Sequence, residues 1–157
     1  MKVVVREESN LQGALVMERL SYRVFPRYAK WDYISVMNYL RVGGKVLVAY
    51  DDYRILGGAF LRRMMDDMWE ITMIGVFPEY RRRGVGKRLM ESILRSTSGD
   101  IYLHVEVNNE PALRLYRAFG FKVVKRVSKF YSTGEDAYLM VLKRTPRRPK
   151  NSSEGPG

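Results

Sequence analysis

The stretch from Met68 to Leu94 constrains the fold most. An apolar run reaches Val76-Phe77 and is stopped by Pro78. The basic turn Arg81-Arg82-Arg83-Gly84-Val85-Gly86 follows, and from Val85 onward Leu89, Met90, Ile93 and Leu94 recur on one helical face. A strand that enters a helix through a glycine turn converges several backbone N–H groups, and the positive end of the helix dipole, on one point. Such a junction suits phosphate oxygens. Arg81, Arg82, Arg83, Lys87 and Arg88 add positive charge around it. The loop has neither the GxxxxGK[ST] of a P-loop nor the GxGxxG of a dinucleotide fold. What remains is a phosphate-bearing ligand of another kind, or a basic surface turn that opens an ordinary helix.

The flanking chain reads as a mixed α/β domain. Residues 2–6 are β-branched and open it as a strand. Ser9 or Asn10 caps a helix with Leu11, Leu15, Val16 and Leu20 on one face, which Phe25-Pro26 breaks. A second helix over about 30–41 carries Tyr33, Ile34, Met37 and Leu40 and ends at Gly43-Gly44. Runs 45–50, 54–64 and 68–77, with turns at Asp51-Asp52 and Asp66-Asp67, predict an antiparallel meander. The run Met64-Met65-Asp66-Asp67-Met68 reads as core and turn filler rather than a ligand site. After the glycine-loop helix, 101–107 alternates, with Tyr102, His104 and Glu106 on one side. Asn108-Asn109 and Pro111 then open a helix that Gly120 closes, and strands over about 121–127 and 137–143 complete the sheet. No internal repeat is visible.

Composition narrows the chemistry. The 157 residues suit one domain; they include no Cys and one His, which excludes disulfides, cysteine nucleophiles and a multi-histidine metal site. No apolar run is long enough to span a membrane. The opening MKVVVREESN lacks the apolar core of a signal peptide, so a cytoplasmic protein is expected. The 28 Lys and Arg against 17 Asp and Glu give a net charge of +11. Such an excess suits a polyanionic partner. Five positive charges fall in Lys143–Lys150, and residues 145–157 read as a disordered basic tail, either a solvated end or an electrostatic tether to RNA or the ribosome.

Two segments carry a family resemblance. Val76–Gly86 resembles motif A of the GNAT acetyltransferases, Q/R-x-x-G-x-G/A after a strand. Asn109–Phe121, NEPALRLYRAFGF, resembles that family's N-x-x-A-x-x-L-Y-x-x-x-G-F segment. With the flanking strands the resemblance covers roughly residues 1–144. Phe130–Met140, FYSTGEDAYLM, is similar to the YYxxGEDAxxM ending of N-terminal protein acetyltransferases, among them archaeal enzymes, RimI and the NatA catalytic subunit. Ile101–Val105 and Val24-Phe25-Pro26 are similar to the NatE catalytic subunit. Phe130 departs from the pattern by replacing the first tyrosine of the usual pair.

The resemblance implies the α/β GNAT fold, a mixed central sheet of about seven strands flanked by about four helices, with two central strands splayed. It implies acetyl-CoA as cosubstrate and transfer to the α-amine of protein N-termini. Backbone groups of Ile74, Gly75 and Val76 would hold the pantetheine and thioester, and Val76 N–H would polarise the carbonyl. The turn Arg81-Arg82-Arg83-Gly84-Val85-Gly86-Lys87 would hold the pyrophosphate, Asn109 would reach the pantetheine arm, and Tyr116 would be the general acid. Glu70, where relatives carry His or Tyr, and His104 are the candidate bases, acting through water. Glu70 lies six positions before Val76, which by strict alternation places both on one strand face. Phe25, Pro26 and Tyr131 would clamp the acceptor peptide, with Arg27 beside them implying tolerance of an acidic second residue. Two alternatives stay open: an acetyltransferase acting on lysine or a small amine, and an RNA- or ribosome-binding module with vestigial activity.

Overall fold

The computed structural model describes residues 2–25, 30–65 and 67–144. Pro26, Arg27, Asp66 and the basic tail from residue 145, all singled out above, lie outside the described residues. In chain order the elements are β1 (Val4–Glu7), α1 (Leu11–Val24), α2 (Tyr33–Leu40), β2 (Lys45–Asp51), β3 (Arg54–Arg63) and β4 (Met68–Val76). A 3-10 turn over Pro78–Tyr80 leads to α3 (Val85–Ser96), β5 (Asp100–Glu106), α4 (Glu110–Ala118), β6 (Lys122–Val127) and β7 (Ala137–Leu142). None of these helices is long and apolar enough to cross a membrane.

Local chemistry explains most boundaries. The Asn10 side chain caps α1 by accepting the Gly13 N–H at 3.0 Å, and Asp32 caps α2 through the Ser35 N–H at 2.8 Å. Arg54 pairs with the buried Asp51 at 2.6 Å across the β2–β3 turn. At the end of α4, the N–H groups of Gly120 and Phe121 return to the carbonyls of Arg117 and Tyr116.

The strands form one sheet in the order β1-β2-β3-β4-β5-β7-β6, antiparallel throughout except for the parallel pair β4–β5. One face packs Leu47, Leu61 and Ile71 against Leu89 and Ile93 of α3 and Leu113 and Tyr116 of α4. The other packs Val46, Phe60 and Met73 against Ala14, Met17 and Leu20 of α1 and Val36 of α2.

Three expectations need correction. In α1 the buried edge runs through Gly13, Ala14, Val16, Met17, Leu20 and Ser21, so Val16 and Leu20 are core as expected while Leu11 and Leu15 are exposed. Gly13 sets this rotation, because it lies so close to the Glu8 carbonyl that a Cβ would not fit. In α2 the fully buried side chain is Val36, Met37 and Leu40 pack partly against the core as expected, and Tyr33 and Ile34 face outward. Met64, Met65 and Met68 are exposed, so none of them fills a core.

Candidate active site

The sheet opens at its centre. β4 and β5 pair from Met68–Asp100 to Glu70–Tyr102 and no further, although β4 continues to Val76 and β5 to Glu106. Beyond that fork Ile74, Gly75 and Val76 keep β3 as partner on one side, and on the β5 side their peptide groups face a gap. A backbone edge without a partner is available to an extended ligand. The three residues are half-buried, as a strand lining a cleft should be.

A second irregularity sorts the side chains. Leu61 pairs with Ile71 and Phe60 with Met73, so Thr72 is an extra residue and β4 bulges there. The bulge resets the alternation. Trp69, Ile71, Ile74 and Val76 join the core under α3 and α4, whereas Met73 joins the other core, and the space at Gly75 faces Leu20 and Val24 of α1. Glu70 and Val76 therefore lie on opposite faces, contrary to the expectation from strict alternation.

The glycine loop begins at the mouth of the gap. Gly84 occupies the N-cap of α3 at φ 76°, with open space where a Cβ would stand, and no side chain caps the helix. Arg82 is also left-handed, at φ 65°. The first-turn N–H groups of α3 thus emerge beside exposed Arg81, Arg82, Arg83, Lys87 and Arg88, which is the donor set an anion requires. Arg81 Nε donates to the Val76 carbonyl at 3.3 Å, tying loop to strand, and the Arg54 and Arg83 guanidinium groups both lie over the Tyr80 ring. An open N-terminus ringed by cations, set against an unpaired strand edge, fits a phosphate-bearing ligand with an extended arm.

On the α1–α2 face, Glu70 is buried and its Oε1 is held by Arg62 Nε at 2.6 Å, Arg62 Nη2 at 2.5 Å and Thr72 Oγ1 at 2.9 Å. Arg62 in turn lies over the Trp31 and Tyr39 rings, 5.5 and 4.9 Å from their centroids. Tyr102 is the register partner of Glu70, and His104 follows on the same face of β5. Burial pulls the His104 imidazole below its ordinary pKa, against the opposing pull of the Glu70 charge. Burial, then the Glu70 charge, raises the Tyr102 hydroxyl. His104 stacks on Phe130 at 4.2 Å, and Phe130 meets Tyr131 edge-on at 5.0 Å. The β6–β7 loop thereby brings Tyr131 into the same cluster as the candidate bases. Phe25 caps α1 through its N–H to the Ser21 carbonyl and packs partly into the core beneath α1.

Tyr116 stands on the opposite side. It is buried on α4, its ring 6.0 Å from that of Phe121, and burial holds its hydroxyl well above the usual phenol range. Asn109 caps α4, its Oδ1 accepting the Ala112 N–H at 3.3 Å. The candidate acid and bases are thus divided between two faces that communicate through the fork. Arg62, Thr72 and Tyr102 were not singled out by sequence. Of these, Tyr102 alone left a signal, its alternation with His104.

The sequence profile of the Acetyltransferase (GNAT) family matches residues 14–121. An N-alpha-acetyltransferase of Saccharolobus solfataricus is 44% identical over 75 residues, 45% of either chain, so the match spans less than half of that relative. N-alpha-acetyltransferase 50 of Danio rerio is 30% identical over 142 residues, 85% of this chain and 83% of its own. Among solved structures, Arabidopsis thaliana Naa50 in complex with the bisubstrate analogue CoA-Ac-MVNAL superposes with a TM-score of 0.77 at 22% identity, covering 91% of this chain and 99% of that one. The forked sheet, the glycine loop and these matches agree: the chain belongs to the acetyltransferase (GNAT) family.

Proposed function

We propose that the chain transfers an acetyl group from acetyl-CoA to the α-amine of protein N-termini. The observation that carries this reading is the fork, which lets a cofactor bound on the α3–α4 face meet an acceptor bound on the α1–α2 face through one gap. The relatives named N-alpha-acetyltransferase supply the acceptor class. Acetyl-CoA, when bound, supplies an activated thioester. In this reading the first-turn N–H groups of α3 and the side chains of Arg81, Arg82, Arg83 and Lys87 hold the pyrophosphate. The peptide edge of Ile74, Gly75 and Val76 pairs with the pantetheine arm, Asn109 bonds the same arm, and the Val76 N–H polarises the carbonyl.

An α-amine has a pKa near ~8, so a modest base suffices to keep it neutral. His104, uncharged near neutrality because burial depresses its pKa, accepts the amine proton through a water. Glu70, with Oε1 committed to Arg62 and Thr72, orients that water and attracts the cationic acceptor. Phe25, Pro26 and Tyr131 clamp its first residues. Tyr116, kept protonated by burial, gives its proton to the departing thiolate.

The test is mass spectrometry of short peptides, each with a free α-amine and one internal lysine, after incubation with acetyl-CoA. Acetylation at the α-amine, lost in Tyr116→Phe and in the Glu70→Gln/His104→Ala pair, supports the reading. Acetylation at lysine alone overturns it in favour of a lysine acetyltransferase. For residues 145–157 we propose a tether to RNA that is separate from the catalytic domain of residues 1–144; filter binding of the full and truncated chains checks it.

A further inference from the structure

α1 and α2 pack over β2, β3 and β4. On the same face, the sheet beyond the fork carries a groove of about 390 Å³ lined by Tyr102, His104, Val124, Leu139, Val141 and Lys143, among others. Register explains its composition. One row across β5, β7 and β6 runs Tyr102–Val141–Lys122, and the next runs His104–Leu139–Lys125. Directly paired residues point to the same side of a sheet, so each row begins at an aromatic ring beside Glu70 or two residues on, crosses an aliphatic side chain and ends at a lysine. Val124, the extra residue of a bulge in β6, is 61% exposed and widens the aliphatic floor. At the lower end, Lys143 lies 3.6 Å from Asp100 with most of its side chain in solvent. Lys122 and Lys125 are exposed and enter none of the ion pairs among the described residues.

We infer that this groove is the exit track for the acceptor polypeptide and selects acceptors with acidic residues a few positions behind the N-terminus. The inference rests on the proposed N-terminal acetylation and names the substrate class that the same site takes. Two features assign the occupant: the groove is continuous with Tyr102 and His104, where the acceptor amine would sit, and its outer rim is cationic. A second copy of this chain would bring lysine rim against lysine rim, at a net charge of +11 each. Strands lie about 4.8 Å apart, so β6 is about 10 Å from β5, and an extended peptide covers that in about three residues. An acid at about the fourth position therefore meets Lys125 or Lys122, with an apolar neighbour over Leu139 or Val141.

The experiment compares two eight-residue acceptors with the same first two residues, bearing either Glu-Leu or Lys-Leu repeats at positions three to six. Steady-state kinetics with acetyl-CoA are paired with polarisation binding of the fluorescent, Nα-acetylated forms. The expected result is about a tenfold higher kcat/KM for the acidic acceptor, carried by KM, and tighter binding of its acetylated form. Lys122→Glu/Lys125→Glu should reverse the preference, with kcat for a dipeptide acceptor unchanged. Equal kcat/KM for the two acceptors, or a preference untouched by the charge reversal, overturns the inference while leaving the function standing. If no acceptor is acetylated, the function fails, and the binding arm alone then decides the groove. A shift from dimer to monomer in Leu139→Ser by sedimentation, with no change in peptide binding, assigns the face to self-association instead.

Discussion

At the scale of single residues, the proposed chemistry turns on His104, whose imidazole burial holds below its ordinary pKa. The depressed His104 pKa, below 6.5, means that the proton-accepting form persists to lower pH than for a free imidazole. At saturating peptide, kcat should therefore hold through neutrality and fall as pH drops through a value below 6.5. His104→Ala should remove that acid limb; a limb that survives in the variant assigns the proton acceptor elsewhere. Arg62 carries the complementary prediction. Its guanidinium supplies two of the three donors to Glu70 Oε1, so Arg62→Met leaves a buried carboxylate short of its counter-charge. The expected loss is about 2–3 kcal/mol, below the usual range for breaking a fully buried pair, because a quarter of the Arg62 side chain remains in solvent. Thermal unfolding measures it. Glu70→Gln in the same background should restore part of the loss without restoring kcat, which separates the stability role of Arg62 from its positioning of Glu70.

Among the elements, the glycines around the fork make the sharpest predictions. A Cβ at Gly57 would run into the backbone of Gly75 and Val76, the strand edge assigned to the pantetheine arm. Gly57→Ala should lower the melting temperature and, more severely, acetyl-CoA affinity by calorimetry. Gly84 has open space around it, yet its φ of 76° disfavours any side chain by about 1–2 kcal/mol. Gly84→Ala should weaken acetyl-CoA binding with little loss of fold. Both glycine-loop and α4 motifs were legible in the sequence because their chemistry is local: a turn, a cap, a helix start. Less local facts were hidden. The bulge at Thr72 lies within the unbroken run EITMI, with no glycine or proline beside it to mark it, and it inverts the face on which Glu70 emerges relative to Val76. The partnership of Arg62 with Glu70 arises from register across a hairpin, and residue type alone does not encode register. The rotation of α1 follows from its tight approach to Glu8, so Leu11 and Leu15 resemble core residues in sequence and meet solvent in the fold.

For the molecule as a whole, Arg144 closes the described chain. Its guanidinium reaches the carbonyls of Gly99 and Leu94 and the Thr97 hydroxyl, while its N–H reaches Asp100, so one residue ties the end of β7 to the junction of α3 and β5. Deleting residues 145–157 should leave the melting temperature and peptide acetylation unchanged and lower RNA affinity. Arg144→Ala should cost stability with the tail intact, and thermal unfolding of the two variants tells them apart. The sheet order carries a further consequence for how the protein is born. β7 is the last strand in sequence, yet it inserts between β5 and β6, and its register with β5 places Leu139 beside His104. A nascent chain that has not yet released residues 137–144 from the ribosome has β5 bare on one edge and β6 without any neighbour. His104, the proposed proton acceptor, is by then synthesised but lacks the β7 neighbour beside it. On the proposed function, activity cannot arise piecemeal during translation; assembly of the site must wait for β7 to slide home.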